Sequence, residues 1–376
     1  MARRTGFIWH ERMMWHDCGP SIGTVPSRGL FQQGEHFENP ETKRRLKNLM
    51  DAYGVTPMLV PIAFTPADES MLGRIHPPAY LNKVKALSDA GGGDAGEFAI
   101  VGAGSYEIAM MAPGGVLAAA EAVLDGDVDN AYVLSRPPGH HAEPEQGRGF
   151  CIFANTPIAI RELQARGAVN RVAVVDWDVH HGNGTEACFY DDPSVLTISL
   201  HQDGLYPADK GGTDACGAGG GTGFNINVPL PPGSGEGAYY HAMSEVVLPA
   251  LEAFRPDMIF IACGYDGCSF DPLSAQILGS PHYRTMTQQV IDAADRLCAG
   301  KLVVCHEGGY SAVYVPFCGV AVIETLMGRE TGIHDPFATM ITDLPYQDLQ
   351  PHQQAAVERA ADAGLSALML AMTENV

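Results

Sequence analysis

Positive charge is scarce in this chain: 23 lysines and arginines stand against 44 aspartates and glutamates, a formal net charge of −21 over 376 residues. A nucleic-acid binder needs a basic face to neutralise phosphates, so the balance argues against that class. An acidic surface keeps a protein in solution and draws cationic partners inward. Long apolar runs are missing too. None approaches the roughly 18 residues a membrane helix needs, and no apolar signal core follows the opening Met-Ala-Arg-Arg-Thr-Gly. The nine cysteines, an odd number scattered along the chain, do not read as a disulfide framework. Cys151, Cys263 and Cys305 lie in apolar runs, where buried free thiols are common. We therefore expect a reduced, cytoplasmic protein with no membrane partner. Phosphate cradles and nucleophile elbows are absent as well: there is no G-x-x-x-x-G-K-S/T, no G-x-G-x-x-G at the first strand–helix turn and no G-x-S-x-G.

What is present is a series of five short apolar runs, each ending in unusual polar chemistry. Residues 131–134 lead into Ser-Arg-Pro-Pro-Gly-His-His, ending at His140 and His141. Residues 172–175 lead into Asp-Trp-Asp-Val-His-His-Gly-Asn, which carries Asp176, Asp178, His180 and Asn183. Residues 195–200 lead into His201, Met258–Cys263 into Gly-Tyr-Asp-Gly with Asp266, and 302–305 into His-Glu-Gly-Gly-Tyr with Tyr310. Helical patterns at about 156–166, 235–254 and 283–299 fill the gaps. Strands alternating with helices predict an α/β protein whose parallel sheet is covered on both faces. In such sheets ligands bind beyond the carboxyl ends of the strands, where every polar cluster here falls.

No linker or repeat interrupts 105–330, and we read a single domain over 1–376, with a helical extension at about 351–373. That extension packs on the body or pairs with another subunit, so a homo-oligomer is open. Residues 1–75 read as irregular around a helix at about 40–53, with Lys43, Arg44, Arg45 and Lys47 on a solvated basic face. His10, His16, His36 and His76 stand singly, without metal spacing, and read as structural or exposed. Segments 80–87 and 106–124 are helical, and 89–104 is a glycine-rich, mobile surface loop with Asp94 and Glu97, of the kind that borders active sites.

Asp178 and His180 at one strand end, with Asp266 at another, make a set of oxygen and nitrogen donors suited to zinc. Three protein ligands leave a position open for water and substrate, and water there becomes a usable nucleophile. His140 and His141, on a turn stiffened by Pro137 and Pro138, are the acid–base candidates. Each needs an orienting partner, and Asp176 and Asn183 are the polar residues to hand. Tyr310 suits a phenol aimed at a carbonyl oxygen, although Gly-Gly-Tyr alone fits a core tyrosine as well. Phe150 and Tyr206, in glycine-flanked loops, fit either the walls of an apolar channel or the core.

Six motifs in this order, R-P-P-G-H-H-A, G-F-C-I-F-A-N, D-W-D-V-H-H-G-N-G-T, S-L-H, C-G-Y-D and E-G-G-Y, resemble the zinc-dependent histone deacetylase and acetylpolyamine amidohydrolase superfamily over roughly residues 5–335. Asn183 in H-H-G-N-G resembles the class II branch with its bacterial deacetylase-like amidohydrolases. The resemblance implies an arginase-like three-layer α/β/α fold with a mainly parallel eight-stranded sheet. It implies zinc on Asp178, His180 and Asp266, His141 with Asn183 as general base and later acid, and His140 with Asp176 as its electrostatic partner. Tyr310 would stabilise the oxyanion, and Gly149, Phe150 and Tyr206 would wall an acyl tunnel, with tyrosine at 206 where the family usually has phenylalanine. A structural potassium is implied at Asp176, Asp178, His180, Ser199 and Leu200, and a second at Phe189, Asp192, Val195 and Phe224. Asp94 or Glu97 would be the rim carboxylate that grips an acylated amine. The expected activity is removal of acetyl or short acyl groups from acyl-lysine or acetylpolyamines. Two rivals stay open: an arginase-like binuclear manganese ureohydrolase, and a catalytically weak acyl-lysine reader.

Overall fold

The computed structural model describes residues 2–27 and 29–374. Its centre is a sheet of eight strands: β1 (Thr5–Ile8), β2 (Val60–Pro61), β3 (Asn130–Val133), β4 (Val172–Asp176), β5 (Val195–Gln202), β6 (Asn225–Leu230), β7 (Met258–Cys263) and β8 (Leu302–His306). They lie in the order β6-β5-β4-β7-β8-β3-β1-β2, and every neighbouring pair is parallel. The five expected runs are five of these strands. The other three lay in segments that carry little strand signal. Val60–Pro61 is only two residues long, and β6 contains Pro229, which a sheet tolerates because β6 is an edge.

Side chains alternate across the strands, as the two-residue pleat requires. In β4, Val172 and Val174 enter one core and Ala173 and Val175 the other; in β7, Met258 and Phe260 oppose Ile259 and Ile261. One face is covered by α1 (Glu41–Ala52), α2 (Ser280–Cys298) and α3 (Val315–Met327), the other by helices Met111–Leu124 and Asn155–Ala165. The α3 segment shows no amphipathic period because it is buried on nearly every side. The result is the expected three-layer α/β/α architecture.

Three local expectations change. Ser105–Leu124, with mean hydropathy 1.4, is long and apolar enough by composition to cross a membrane, but it is mostly buried against the sheet and Asn155–Ala165, as a core helix is. Lys43 is not on a solvated face: only 1% of its side chain is exposed, and its Nζ lies 3.8 Å from the buried Glu38. The glycine-rich segment 89–104 forms an antiparallel hairpin, Gly92–Asp94 with Ile100–Gly102, and Gly96–Glu97 pairs with Gly147–Arg148. The C-terminal helical run, Pro351–Ala360 and Ser366–Glu374 joined through a π-turn, packs on the body beside β6.

Strand β4 is flanked by β5 on one side and β7 on the other, so the chain winds outward in opposite directions from the β4–β7 pair. That reversal opens a crevice at the carboxyl ends of these two strands.

Candidate active site

Just past β4, the chain turns through Asp178 and His180, and just past β7 it reaches Asp266. The backbone knits these ends together: Val179 N donates to Asp266 Oδ1 at 2.9 Å and His180 N to Asp178 Oδ1 at 3.0 Å. His180 Nδ1 lies 3.1 Å from both Asp178 Oδ1 and Asp266 Oδ2. All three side chains are buried, with ligating atoms within 4.8 Å of one another. Burial, then the charge of Asp178, pushes Asp266 up to about 6. Two carboxylates confined this closely repel each other, and a divalent cation relieves that repulsion. The space beside them is kept by glycine. A Cβ at Gly308 would stand 2.2 Å from Asp266 Oδ2, and one at Gly264 2.2 Å from Asp178 Oδ2. Donor chemistry and cradle both fit a metal such as zinc.

The two adjacent histidines sit on a turn held from beneath by Glu307, whose Oε2 accepts from Gly139 N at 2.6 Å and His140 N at 3.2 Å. His140 Nδ1 faces Asp176 Oδ2 at 3.0 Å. Burial works against its cationic form, but the charges of Asp178 and Asp176 outweigh it and raise His140 to about 10. His141 Nδ1 faces Asn183 Oδ1 at 2.7 Å. Burial, then the charges of His140 and His180, holds it well below the usual histidine range. The neighbouring rings are thus pushed in opposite directions, His140 toward its cationic form and His141 toward its neutral one.

A cavity of about 210 Å³ leads to this point, with His141, His180 and Tyr310 among its lining. Phe150 stands edge-on to Tyr310 at 5.7 Å between ring centroids, and Tyr206 edge-on to His141 at 5.0 Å. Gly149 and Phe150 both have left-handed backbones, φ 49° and 70°. A Cβ at Gly149 would come within 2.3 Å of the His141 ring, so the close approach needs glycine. Tyr206 lines the same cavity, with the Arg148 guanidinium 5.9 Å over its ring.

Neither rim carboxylate lines the cavity. Asp94 accepts from Gly96 N, Phe98 N and Ala99 N, closing its own hairpin. Glu97 pairs with Arg148 at 2.6 Å. The cavity instead meets Phe98, Thr24, Leu205 and Leu273. For the first potassium set, Ser199 is the register partner of Asp176, one strand over, and Leu200 follows it. Residues of the second set cluster near the amino end of β5. Phe189 ends a helix, Val195 begins β5 and Phe224 precedes β6, while Asp192 pairs with Arg161. The carbonyls of Phe189 and Phe224 already accept backbone bonds from Asp192 N and Thr197 N.

Sequence reasoning passed over several supporting residues. Glu307 had a signal, since it directly precedes Gly308-Gly309-Tyr310. Asp271, which accepts from Tyr310 N at 2.7 Å and Leu273 N at 2.9 Å, had none. Nor did Glu38, buried against Arg136 at 2.8 Å across 98 positions of sequence. Of the single histidines, His16 bonds Ser105, His76 bonds the Pro144 carbonyl, and His36 meets Phe150 edge-on.

A histone deacetylase domain profile matches residues 36–326. The chain belongs to the histone deacetylase family. It is 51% identical to a histone deacetylase-like amidohydrolase of Pseudomonas aeruginosa over 97% of both chains. It is 34% identical to histone deacetylase 8 of Arabidopsis thaliana, over 95% of this chain and 96% of that one. A probable deacetylase of Archaeoglobus fulgidus is 33% identical over 88% of this chain and 89% of its own. The crystal structure of the HDA15 HD domain superposes with a TM-score of 0.84 at 30% identity, covering 99% of this chain and 100% of that one. The chain is therefore an enzyme of the deacetylase and amidohydrolase type, in a family that depends on zinc, with a buried group of residues able to hold a metal.

Proposed function

We propose that this enzyme removes acetyl or similarly short acyl groups from amine nitrogens by a zinc-dependent hydrolysis, acting on acyl-lysine or acetylpolyamines. The observation that carries the reading is the buried Asp178–His180–Asp266 group beside a narrow cavity onto which His141 and Tyr310 both open. Apolar walls suit the methylene stem of an acylated amine, leaving its amide at the polar end.

Zinc, held by Asp178, His180 and Asp266, would supply a Lewis acid for the acyl carbonyl and make water acidic enough to attack. Tyr310 donates its phenolic hydrogen to the carbonyl oxygen, where negative charge develops as the carbon becomes tetrahedral. His141, neutral and with Nδ1 engaged by Asn183, takes the proton of the attacking water at Nε2. It returns that proton to the nitrogen as the carbon–nitrogen bond breaks, and acetate and free amine leave. His140, held cationic beside Asp176, offsets the negative charge that accumulates on the reacting atoms. In this reading potassium lies at Asp176, Asp178, His180, Ser199 and Leu200, and a second ion at Phe189, Asp192, Val195 and Phe224. A cytoplasmic location belongs to the same proposal, and nine unpaired cysteines are in keeping with it.

Chelation should abolish turnover of a fluorogenic acetyl-lysine substrate, zinc should restore it, and elemental analysis should find one zinc per chain. Two manganese ions per chain would replace this reading with a binuclear ureohydrolase. That alternative has poor support in the residues, since Gly267 and Cys268 follow Asp266 where a second ion needs carboxylates.

A further inference from the structure

An asparagine amide can meet its neighbours either way round, and here the difference decides what His141 can do. With Oδ1 toward the imidazole, Asn183 accepts from His141 Nδ1–H and leaves Nε2 with a free lone pair. With Nδ2 toward it, Nδ1 becomes the acceptor, the proton moves to Nε2, and the base is lost. Something has to hold the amide in the first orientation.

On the far side of Asn183 is Glu143, whose side chain is 16% exposed. Its Oε1 accepts from Asn183 Nδ2 at 2.7 Å, from Arg148 Nη1 at 3.0 Å and from Lys210 Nζ at 2.8 Å. Asn183 Nδ2 also lies 3.2 Å from the His141 carbonyl. An ionised carboxylate has no hydrogen to give, so it can face only the donor end of the amide. The two cations hold it ionised: burial opposes the charge, but the bonds from Lys210 and Arg148 lower Glu143 below the usual glutamate range. Arg148 in turn is fixed by Glu97 at 2.6 Å. A directional relay therefore runs from two cations through Glu143 and Asn183 to the ring of His141.

We infer that Glu143 is a positioning residue that locks the Asn183 amide and, through it, the Nδ1–H tautomer of His141 that leaves Nε2 free as a base. The inference rests on the reading of His141 as the base. Glu97, expected at the substrate rim, acts in this relay by anchoring Arg148.

The test uses the zinc-loaded enzyme and five variants. Glu143→Leu should lower kcat by about tenfold to a hundredfold, the scale of losing an outer partner of a site residue, with KM little changed. Nitrogen-15 spectra of histidine-labelled protein should show His141 shifting from the Nδ1–H tautomer to a mixture. Asn183→Asp places two carboxylates against each other and should also slow the enzyme. Asn183→Asp combined with Glu143→Leu should recover most of the lost kcat, because a carboxylate at 183 accepts from Nδ1 without help. Should Glu143→Leu not fold, Asn183→Asp with Glu143→Gln asks the same question, and recovery over Asn183→Asp alone is expected. Wild-type kcat and tautomer in Glu143→Leu, or a double variant no better than its single parent, would overturn the inference. Full activity in His141→Ala would instead overturn the proposed function.

Discussion

An added methyl at Gly308 would meet Asp266 Oδ2 at 2.2 Å, Asp178 Oδ2 at 2.6 Å and the Tyr310 hydroxyl at 3.0 Å. Its backbone is not left-handed, so space alone decides the residue. Gly308 N also donates to Asp178 Oδ2 at 2.8 Å, which fixes that carboxylate's rotation. Gly308→Ala should therefore fold but bind zinc about tenfold to a hundredfold more weakly, as read by competition with a chromophoric chelator. Unchanged affinity would mean that the carboxylates can swing aside. At this scale much of the site is legible from sequence: Asp178, His180 and Asp266 stand within a few residues of obvious strand ends. The supports are not. A carboxylate that works by accepting backbone N–H bonds, as Asp271 does, carries no spacing or motif of its own.

Among the elements, the strands buried on both faces were the easiest to read, because a short β-branched run bounded by glycine packs best as the interior strand of a covered sheet. Strand β1 and the short β2 were hidden in a segment dense in proline and glycine, where sequence periodicity is too brief to register. Arg136, just past β3, adds a buried side-chain anchor to the backbone ladders that hold that amino-terminal segment on the sheet. Its guanidinium donates to Glu38 and to the carbonyls of Met14 and His16, with both ionic side chains at most 1% exposed. Removing Arg136 leaves buried Glu38 with only the longer Lys43 contact at 3.8 Å and strips the donor from the Met14 and His16 carbonyls. Arg136→Met should cost about 3–5 kcal/mol in chemical denaturation. A loss below about 1 kcal/mol, the range of exposed ion pairs, would show the cluster to be open to water.

For the molecule as a whole, the excess of carboxylates is the feature with the longest reach. A net charge of −21 draws polycations toward the protein, and dissolved salt screens that attraction beyond about 8 Å at physiological ionic strength. Raising salt from about 0.05 to 0.5 M should lower kcat/KM several-fold for acetylated polyamines and leave an uncharged acetyl-lysine peptide nearly unaffected. Equal salt dependence for both substrates would remove electrostatic steering from the account. Asp94 closes its own hairpin and Glu97 pairs with Arg148, so steering of this kind would act through the diffuse field of the whole surface.

The winding reversal at β4 and β7 also sets a schedule for biosynthesis. Asp178 and His180 leave the ribosome well before Asp266, which follows His180 by 86 positions. Strand β7 must then insert beside β4, on the side opposite the β5–β6 pair, before the three ligands can meet. A nascent chain shorter than that holds only two of them. On the proposed zinc reading, metal acquisition would wait for the middle of the sheet to close, and the captured ion would tie together two segments synthesised far apart in time.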